Sequence, residues 1–529
     1  MLKKIMPYMA LALLVSICVF AWFLNLKYYV GTDLLTFDEM VTVHEKNVIL
    51  SLLQGILIIV FFCIICRVLD KASNRVLIAI YILVSLGILV FGIVLARYNP
   101  YPSDSDQYLV WHMAEYFEGF ENQPPYEYTP NYWIKYPQQK IAVVLLSWFI
   151  SVIHRGSEYY FRLLNALLYT VFCFGMKKLT DFLYGSRAIS AIAFLLTASY
   201  LPTVFYVNYV YGTVFSLTAV VWIFVLLIGA YREQSYIKKF LYFLLCIIIS
   251  IIANSFYMPT LIATLAIVAF SITSFIVNID TDTKVKSWIL ELLCVVAPII
   301  VIFTGNFALD RYCSDYFYAR TGIEDSKGLP KSGWILMGIS ETDGVNGPGS
   351  YTGLTDFYFA ENNYDTDKTD QAIREQISTT CKEYLSGERS LGFFVEKEII
   401  QWTDPWFASL TMTFYPQLVD EGVISDAWKN ITSDKLLSLF ERIYSVVLQA
   451  IFFLAVVGEI VLWFGLRSDG YKRVYWALPA FYIIGGFVFQ LFWESKSRYC
   501  MPYFFMIIPF AAYGCHSIIR GILNGSRHN

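Results

Sequence analysis

The sequence predicts an all-α polytopic membrane protein of about 12 transmembrane helices, and three observations carry that expectation. The 529 residues are 57% apolar and only 15% charged, with a mean hydropathy of +0.54, whereas a soluble domain carries about 25% charge. The apolar residues gather in runs of span length. The loops between those runs differ in basic content as membrane orientation requires. Aromatic residues make up 18% of the chain, enough rings to furnish both membrane interfaces. A net charge of −3 offers no basic surface for a phosphate backbone, so nucleic acid is excluded as a partner.

A span needs about 20 mostly apolar residues. The runs are 6–26, 48–66, 76–96, 158–176, 187–207, 212–231, 239–254, 257–278, 286–306, 441–465, 474–493 and 499–520. The first follows Lys3 and Lys4, lacks a small-x-small cleavage site and reads as an uncleaved signal anchor. A thirteenth run, 141–153, suits an interfacial helix better than a span. The positive-inside rule arbitrates. With 141–153 at the interface, the inside loops hold Arg67/Lys71/Arg75, Lys177/Lys178/Arg187, Arg232/Lys238/Lys239, Lys284/Lys286 and Arg467/Lys472/Arg473, and every one is basic. Counting it as a span puts the later clusters outside. Both termini are then cytoplasmic in a cell membrane. Segments 98–157 and 307–440 share the outer face and can build one site.

The expected organisation is two additional N-terminal spans in 1–75, a core in 76–306 containing the external loop 98–157, a capping domain in 307–440 of mixed α/β or irregular structure, and three spans in 441–529. In the first loop, Leu109, Val110, Met113, Phe117 and Phe120 recur at spacings of three and four, which predicts a helix along the membrane surface. In the capping segment, 329–338 reads as an ordered loop, and a helix over 369–385 stops at Gly387. Eight of ten cysteines lie in apolar runs and read as small hydrophobes. Cys313 and Cys381 fall in the polar segment, where a disulfide between them is open. No Cys/His spacing of zinc-binding type is found.

Asp104 and Asp106 stand at the start of the surface helix. Either is a general base tuned by the helix dipole and nearby cations, or Ser103 and Asp106 form a capping box with Asp104 favourable in the first turn. Lys135 and Lys140 flank a Tyr-Pro-Gln-Gln turn, Arg162 opens the following span, and Lys496 and Arg498 sit at a late helix boundary. Against the charge trend of that face, these cations either pair a lipid phosphate or snorkel beside acids such as Glu158 and Glu494. His112 reads as an interfacial side chain, or as a base or ligand. Lys397 and Glu398 read as a solvated face, and Asn430-Ile-Thr432 as a glycosylation sequon.

In this order, Asp106-Gln107, Lys135-Tyr-Pro-Gln-Gln-Lys140, the short helix 141–153, Arg162-Leu-Leu-Asn-Ala, Trp334-Ile-Leu-Met-Gly338 and Glu494-Ser-Lys-Ser-Arg498-Tyr499 resemble the motifs of GT-C class glycosyltransferases, which include protein O-mannosyltransferases and aminoarabinose transferases. The likeness runs from about residue 76 to the end. It departs at Gln107, where the family's second acid stands, and in two extra leading spans. The resemblance implies a polyprenyl-phosphate-sugar donor and a glycan, lipid or protein acceptor of the cell envelope. It implies inverting displacement with Asp106 or Asp104 as base. Lys140, Arg162, Lys496 and Arg498 would pair the leaving phosphate, with Lys135, Tyr136, Gln139, Glu494 and Tyr499 as further substrate contacts. No metal or other cofactor is strictly needed, and the few acids give no ground for one. The alternatives are a polysaccharide polymerase or ligase using diphosphate-linked oligosaccharide, and a non-enzymatic transporter of lipid-linked glycan. A transporter would carry charge at mid-span and show repeat symmetry.

Overall fold

The computed structural model describes residues 2–32, 41–98, 105–125, 131–256, 260–278, 285–341, 347–413, 434–466 and 474–525. Nine described helices are long and apolar enough to cross a bilayer unaided. The run 187–207 instead forms Arg187–Ala198 and the 3-10 helix Leu201–Asn208, bent by 56° at the break. The run 474–493 forms the shorter helix Ala477–Phe492. Helix Thr213–Arg232 lies at the centre, with 89% of its apolar window buried, whereas Val48–Lys71 and Tyr236–Phe256 bury 17% and present apolar faces outward. Helices Asp434–Gly465 and Ser497–Gly525 pack most closely. A Cβ at Gly514 would lie 1.9 Å from the Leu454 carbonyl oxygen, and one at Gly458 2.2 Å from that of Phe510. Small residues let backbones approach where lipid gives helices no hydrophobic reason to associate.

The awkward run 141–153 resolves into helix Gln139–Ile153, which meets Glu158–Tyr184 at 100°. His154 ends the first helix in the left-handed region (φ 53°), and the Ser157 side chain caps the second by accepting from the Tyr159 amide. The corner sets the two helices nearly perpendicular, so 141–153 does not run on as a straight extension of the following span.

Several expectations are corrected. The surface helix, Ser105–Phe117, turns Leu109, Val110, Met113 and Phe117 into the protein, against helix Gln139–Ile153 and Phe317, while Phe120 is exposed. Helix Val285–Thr321 continues its span well into the capping segment. The rest of that segment is helical among the described residues (Ser332–Ile339, Leu354–Glu361, Thr366–Ser386, Gly392–Thr403 and Ser409–Thr413), with no strand. The run 329–338 is therefore a loop only up to Lys331. Cys313 and Cys381 are both free, one buried and one exposed. The described sheet is an antiparallel hairpin between the first two spans, Tyr28–Thr32 with Val41–Glu45, pairing Tyr28 with Glu45. The helix ending at Gly387 forms as Thr366–Ser386, with Gly387 at φ 80° as its left-handed cap.

Candidate active site

The two polar segments interlock. The Leu329 amide donates to the Lys135 carbonyl (2.9 Å) and the Ser326 hydroxyl to that of Ile134 (2.7 Å). Gly328, at φ 71°, sits where a Cβ would come within 2.5 Å of the Pro137 ring, so the Tyr-Pro-Gln-Gln turn is held by a position only glycine fills without strain. The Lys135 ammonium pairs with Asp356 at 2.6 Å, and the Tyr351 hydroxyl donates to the other oxygen of that carboxylate at 2.7 Å.

Asp106 faces this seam. Its carboxylate accepts from the Tyr132 hydroxyl at 2.7 Å. Burial, then the Asp106 charge, holds the Tyr132 hydroxyl well above its ordinary range, so it remains a donor. Burial likewise raises Tyr211, with Asp106 and Tyr209 adding to it and Gln139 and Arg498 opposing. Tyr211 thus stands within the fields of both Asp106 and Arg498. Its hydroxyl accepts from the Gln139 amide. Tyr136, raised by burial, then Tyr351, Asp356 and Asp106, links the Asp106 and Asp356 sides.

Gln107 supplies the second tie. Its amide donates to the Met412 carbonyl (3.3 Å) and its oxygen accepts from the Val210 amide (3.0 Å). Arg498 donates to the Met412 sulfur (2.7 Å) and the Tyr209 hydroxyl (2.9 Å), and its guanidinium lies 5.2 Å from the Tyr499 ring centre. Residues 209–210 and Met412 therefore hold Gln107, next to Asp106 in the chain, on one side and Arg498 on the other.

The structure separates the remaining expected cations. Lys140 is 1% exposed and pairs with Asp325 at 3.0 Å, above the Phe317 ring. Arg162 is buried beside Glu158, one turn before it on the same helix. Glu494 is buried, with the Lys496 ammonium 3.9 Å away, and its charge reaches Tyr351 across the seam. Asp104 and Ser103, hence the capping box, lie outside the described residues, as does Asn430.

Lys397 and Glu398 are not solvated; both are buried. The Lys397 ammonium donates to the carbonyls of Gly338 (2.7 Å), Leu491 (3.1 Å) and Trp493 (2.6 Å), joining the Trp334–Gly338 and Glu494–Tyr499 motifs. Burial lowers it to about 8 and raises Glu398 beside it to about 7. The Ser495 amide donates to the Gly349 carbonyl, Ser497 to the Asp404 carboxylate, and the Trp334 and Trp493 rings stack. The signal missed in the sequence is that Lys397 lies among Phe393, Phe394, Ile399 and Ile400.

Among the described residues, His112, Glu115 and Glu121 are the side chains close enough to share an ion. They already satisfy one another, with His112 Nδ1 at 3.0 and 3.1 Å from the two carboxylates. Burial pulls the imidazole down and the carboxylates outweigh it, leaving it raised.

No family profile and no curated protein matches the chain. Among solved structures it is similar to the oligosaccharyltransferase AglB of Archaeoglobus fulgidus, in complex with an inhibitory peptide and a dolichol-phosphate (12% identity, TM-score 0.41), over 84% of this chain and 51% of that one. It is also similar to ArnT of Cupriavidus metallidurans bound to undecaprenyl phosphate (11% identity, TM-score 0.31), over 85% and 79%. The chain spans about half the length of the archaeal enzyme.

Proposed function

We propose that the chain transfers a sugar from a polyprenyl-phosphate-linked donor to a cell-envelope glycan, lipid or protein at the non-cytoplasmic face. The observation that carries this reading is the Asp106–Tyr132 pair at the seam of the two polar segments, with Tyr211 within the fields of both Asp106 and Arg498. Asp106 takes the proton of an acceptor hydroxyl as its oxygen attacks the anomeric carbon. The bond from that carbon to the phosphate oxygen breaks, and configuration inverts. The polyprenyl phosphate leaves with the electron pair, and Arg498, with Lys496, offsets its charge. Tyr132 fixes the carboxylate, and the surrounding tyrosines offer ring faces and hydroxyls to a sugar. Because Lys140 and Arg162 are held by Asp325 and Glu158, the phosphate clamp in this reading rests on the late motif.

The test is transfer from a radiolabelled polyprenyl-phosphate sugar in membranes. Asp106→Asn should lower the rate by about 10²–10⁴-fold and Arg498→Gln by about 10²–10³-fold, with protein levels unchanged. Full activity in Asp106→Asn would exclude it as the base, and loss in Asp104→Asn alone would move the role there. Transfer from a diphosphate-linked oligosaccharide but not the monophosphate donor would favour the polymerase or ligase reading.

A further inference from the structure

Asp404 follows helix Gly392–Thr403 and is 2% exposed. Its carboxylate has three neutral donors. The Trp406 amide reaches Oδ1 at 2.8 Å, while the Ala408 amide (2.8 Å) and the Ser497 hydroxyl (2.6 Å) share Oδ2. A carboxylate taken out of water without a countercharge costs stability, and a neutral Ser or Asn side chain closes an ordinary turn at lower cost. The turn that Asp404 closes is not ordinary. Phe407 (φ 48°) and Ala408 (φ 58°) stand consecutively in the left-handed region, which residues with a Cβ hold only under constraint. Residues 200–206 supply part of that constraint. The Tyr200 hydroxyl donates to the Pro405 carbonyl (2.8 Å), the Tyr206 hydroxyl to that of Phe407, and the Ser409 hydroxyl to that of Pro202 (2.6 Å). The turn leads into helix Ser409–Thr413, which carries Met412, and Ser497 begins the helix whose second residue is Arg498. One carboxylate therefore touches both segments that meet where the Arg498 guanidinium donates to the Met412 sulfur. Met412 also accepts from Gln107, the neighbour of Asp106.

We propose that Asp404 is a positioning residue of the transferase site: through the 405–408 turn it sets Met412, and through Ser497 it aims Arg498 at the leaving phosphate. The inference rests on the transferase reading above. A carboxylate suits the role because its two oxygens accept from all three donors. An asparagine would have to turn its NH₂ toward either the Trp406 amide or the Ala408 amide, donor against donor. The two arms have different reach. The turn arm bears on Gln107 as well as Arg498, through Met412. The Ser497 arm bears on Arg498 alone, its neighbour in the chain. Asp404 and Ser497 are 93 residues apart, so no local spacing could announce the link. From the first span, the Asn25 amide donates to the Trp402 carbonyl at 2.8 Å, which fixes the end of the helix that delivers Asp404.

The test uses the full chain in detergent and has two readouts. Amide hydrogen exchange, followed by mass spectrometry, needs no substrate. Asp404→Asn should speed exchange in peptides 404–413 and 497–504 on the order of 10-fold. Ser497→Ala keeps both amide bonds of the turn and should speed only the second peptide. The other readout is transfer from the polyprenyl-phosphate sugar. Ser497→Ala should lower kcat on the order of 10-fold with the acceptor KM unchanged, and Ser497→Thr, which restores the hydroxyl, should recover it. In an Arg498→Gln background, Ser497→Ala should have no further effect, because its loss passes through Arg498. A loss that persists there would mark the bond as stabilising the fold alone, since fewer folded molecules lower both backgrounds alike, and would overturn the inference. Exchange of peptide 497–504 at the parent rate in Asp404→Asn would overturn it too. A parent that transfers nothing from this donor would instead sink the transferase reading, and the exchange rates alone would then decide whether Asp404 holds the two segments together.

Discussion

At position 107 a carboxylate could not do what the amide does. Gln107 donates to one backbone group and accepts from another, and a glutamate would turn an acceptor toward the Met412 carbonyl in a nearly closed site. Gln107→Glu, which restores the acid of the GT-C pattern, should destabilise the protein by about 2–4 kcal/mol and lower transfer, with no recovery on adding a divalent cation. Detergent melting and the transfer assay measure both. Glu398 carries a pH signature. Burial raises its folded pKa to about 7, above the unfolded value near 4.3. Its contribution is therefore fully present below pH 4.3 and is lost as pH rises through 7. Thermal stability should fall by about 1–3 kcal/mol from this group between pH 5 and 8, and Glu398→Gln should flatten that stretch of the profile. Single residues are the scale least legible in the sequence. Asp106, Gln139 and Arg498 were marked by motif, but Tyr132, Tyr211 and Asp356 gain meaning only from partners far along the chain. Lys397 and Glu398 read as a solvated face locally, and the three carbonyls that bury Lys397 belong to segments far along the chain.

Among the elements, apolar runs were legible because hydropathy is local: each of the twelve falls on a described helix or bent helix pair. The corner after helix Gln139–Ile153 was legible for another reason, since charge in distant loops constrained it. The capping segment was not. Helix Ser332–Ile339 spans eight residues, too few for periodicity to separate helix from loop, and its packing against the late motif is tertiary. That packing is a testable joint. A Cβ at Gly338 would lie 2.3 Å from the Phe492 carbonyl oxygen and 2.4 Å from that of Trp493, both backbone and unable to yield. Gly338→Ala should therefore push helix Ser332–Ile339 off the 492–495 turn and break the Lys397 bonds. Limited proteolysis should cut the capping segment faster, and transfer should fall with KM affected along with kcat. A variant that is proteolysed and melts like the parent would show that the joint does not hold the segment.

At the scale of the whole molecule, contact between segments 98–157 and 307–440 follows from geometry, while the side they face rests on charge. Lys177, Lys178 and Arg187 lie around the end of helix Glu158–Tyr184 opposite its corner with Gln139–Ile153, and Arg232, Lys238 and Lys239 around the turn between helices Thr213–Arg232 and Tyr236–Phe256. Basic loops resist translocation, so these ends are expected in the cytoplasm and the Asp106 end outside. The protein carries its own reporter in Cys381, which is exposed on helix Thr366–Ser386 of the capping segment. An impermeant maleimide should label Cys381 in intact cells. In a Cys381→Ser background, Gln234→Cys, exposed between helices Thr213–Arg232 and Tyr236–Phe256, should react only after permeabilisation. Labelling of both from outside would mean that a helix taken to cross the bilayer does not. The reverse pattern would place Asp106 at the cytosolic face, where a lipid-linked donor would have to be used before export, and would remove the basis for an envelope acceptor.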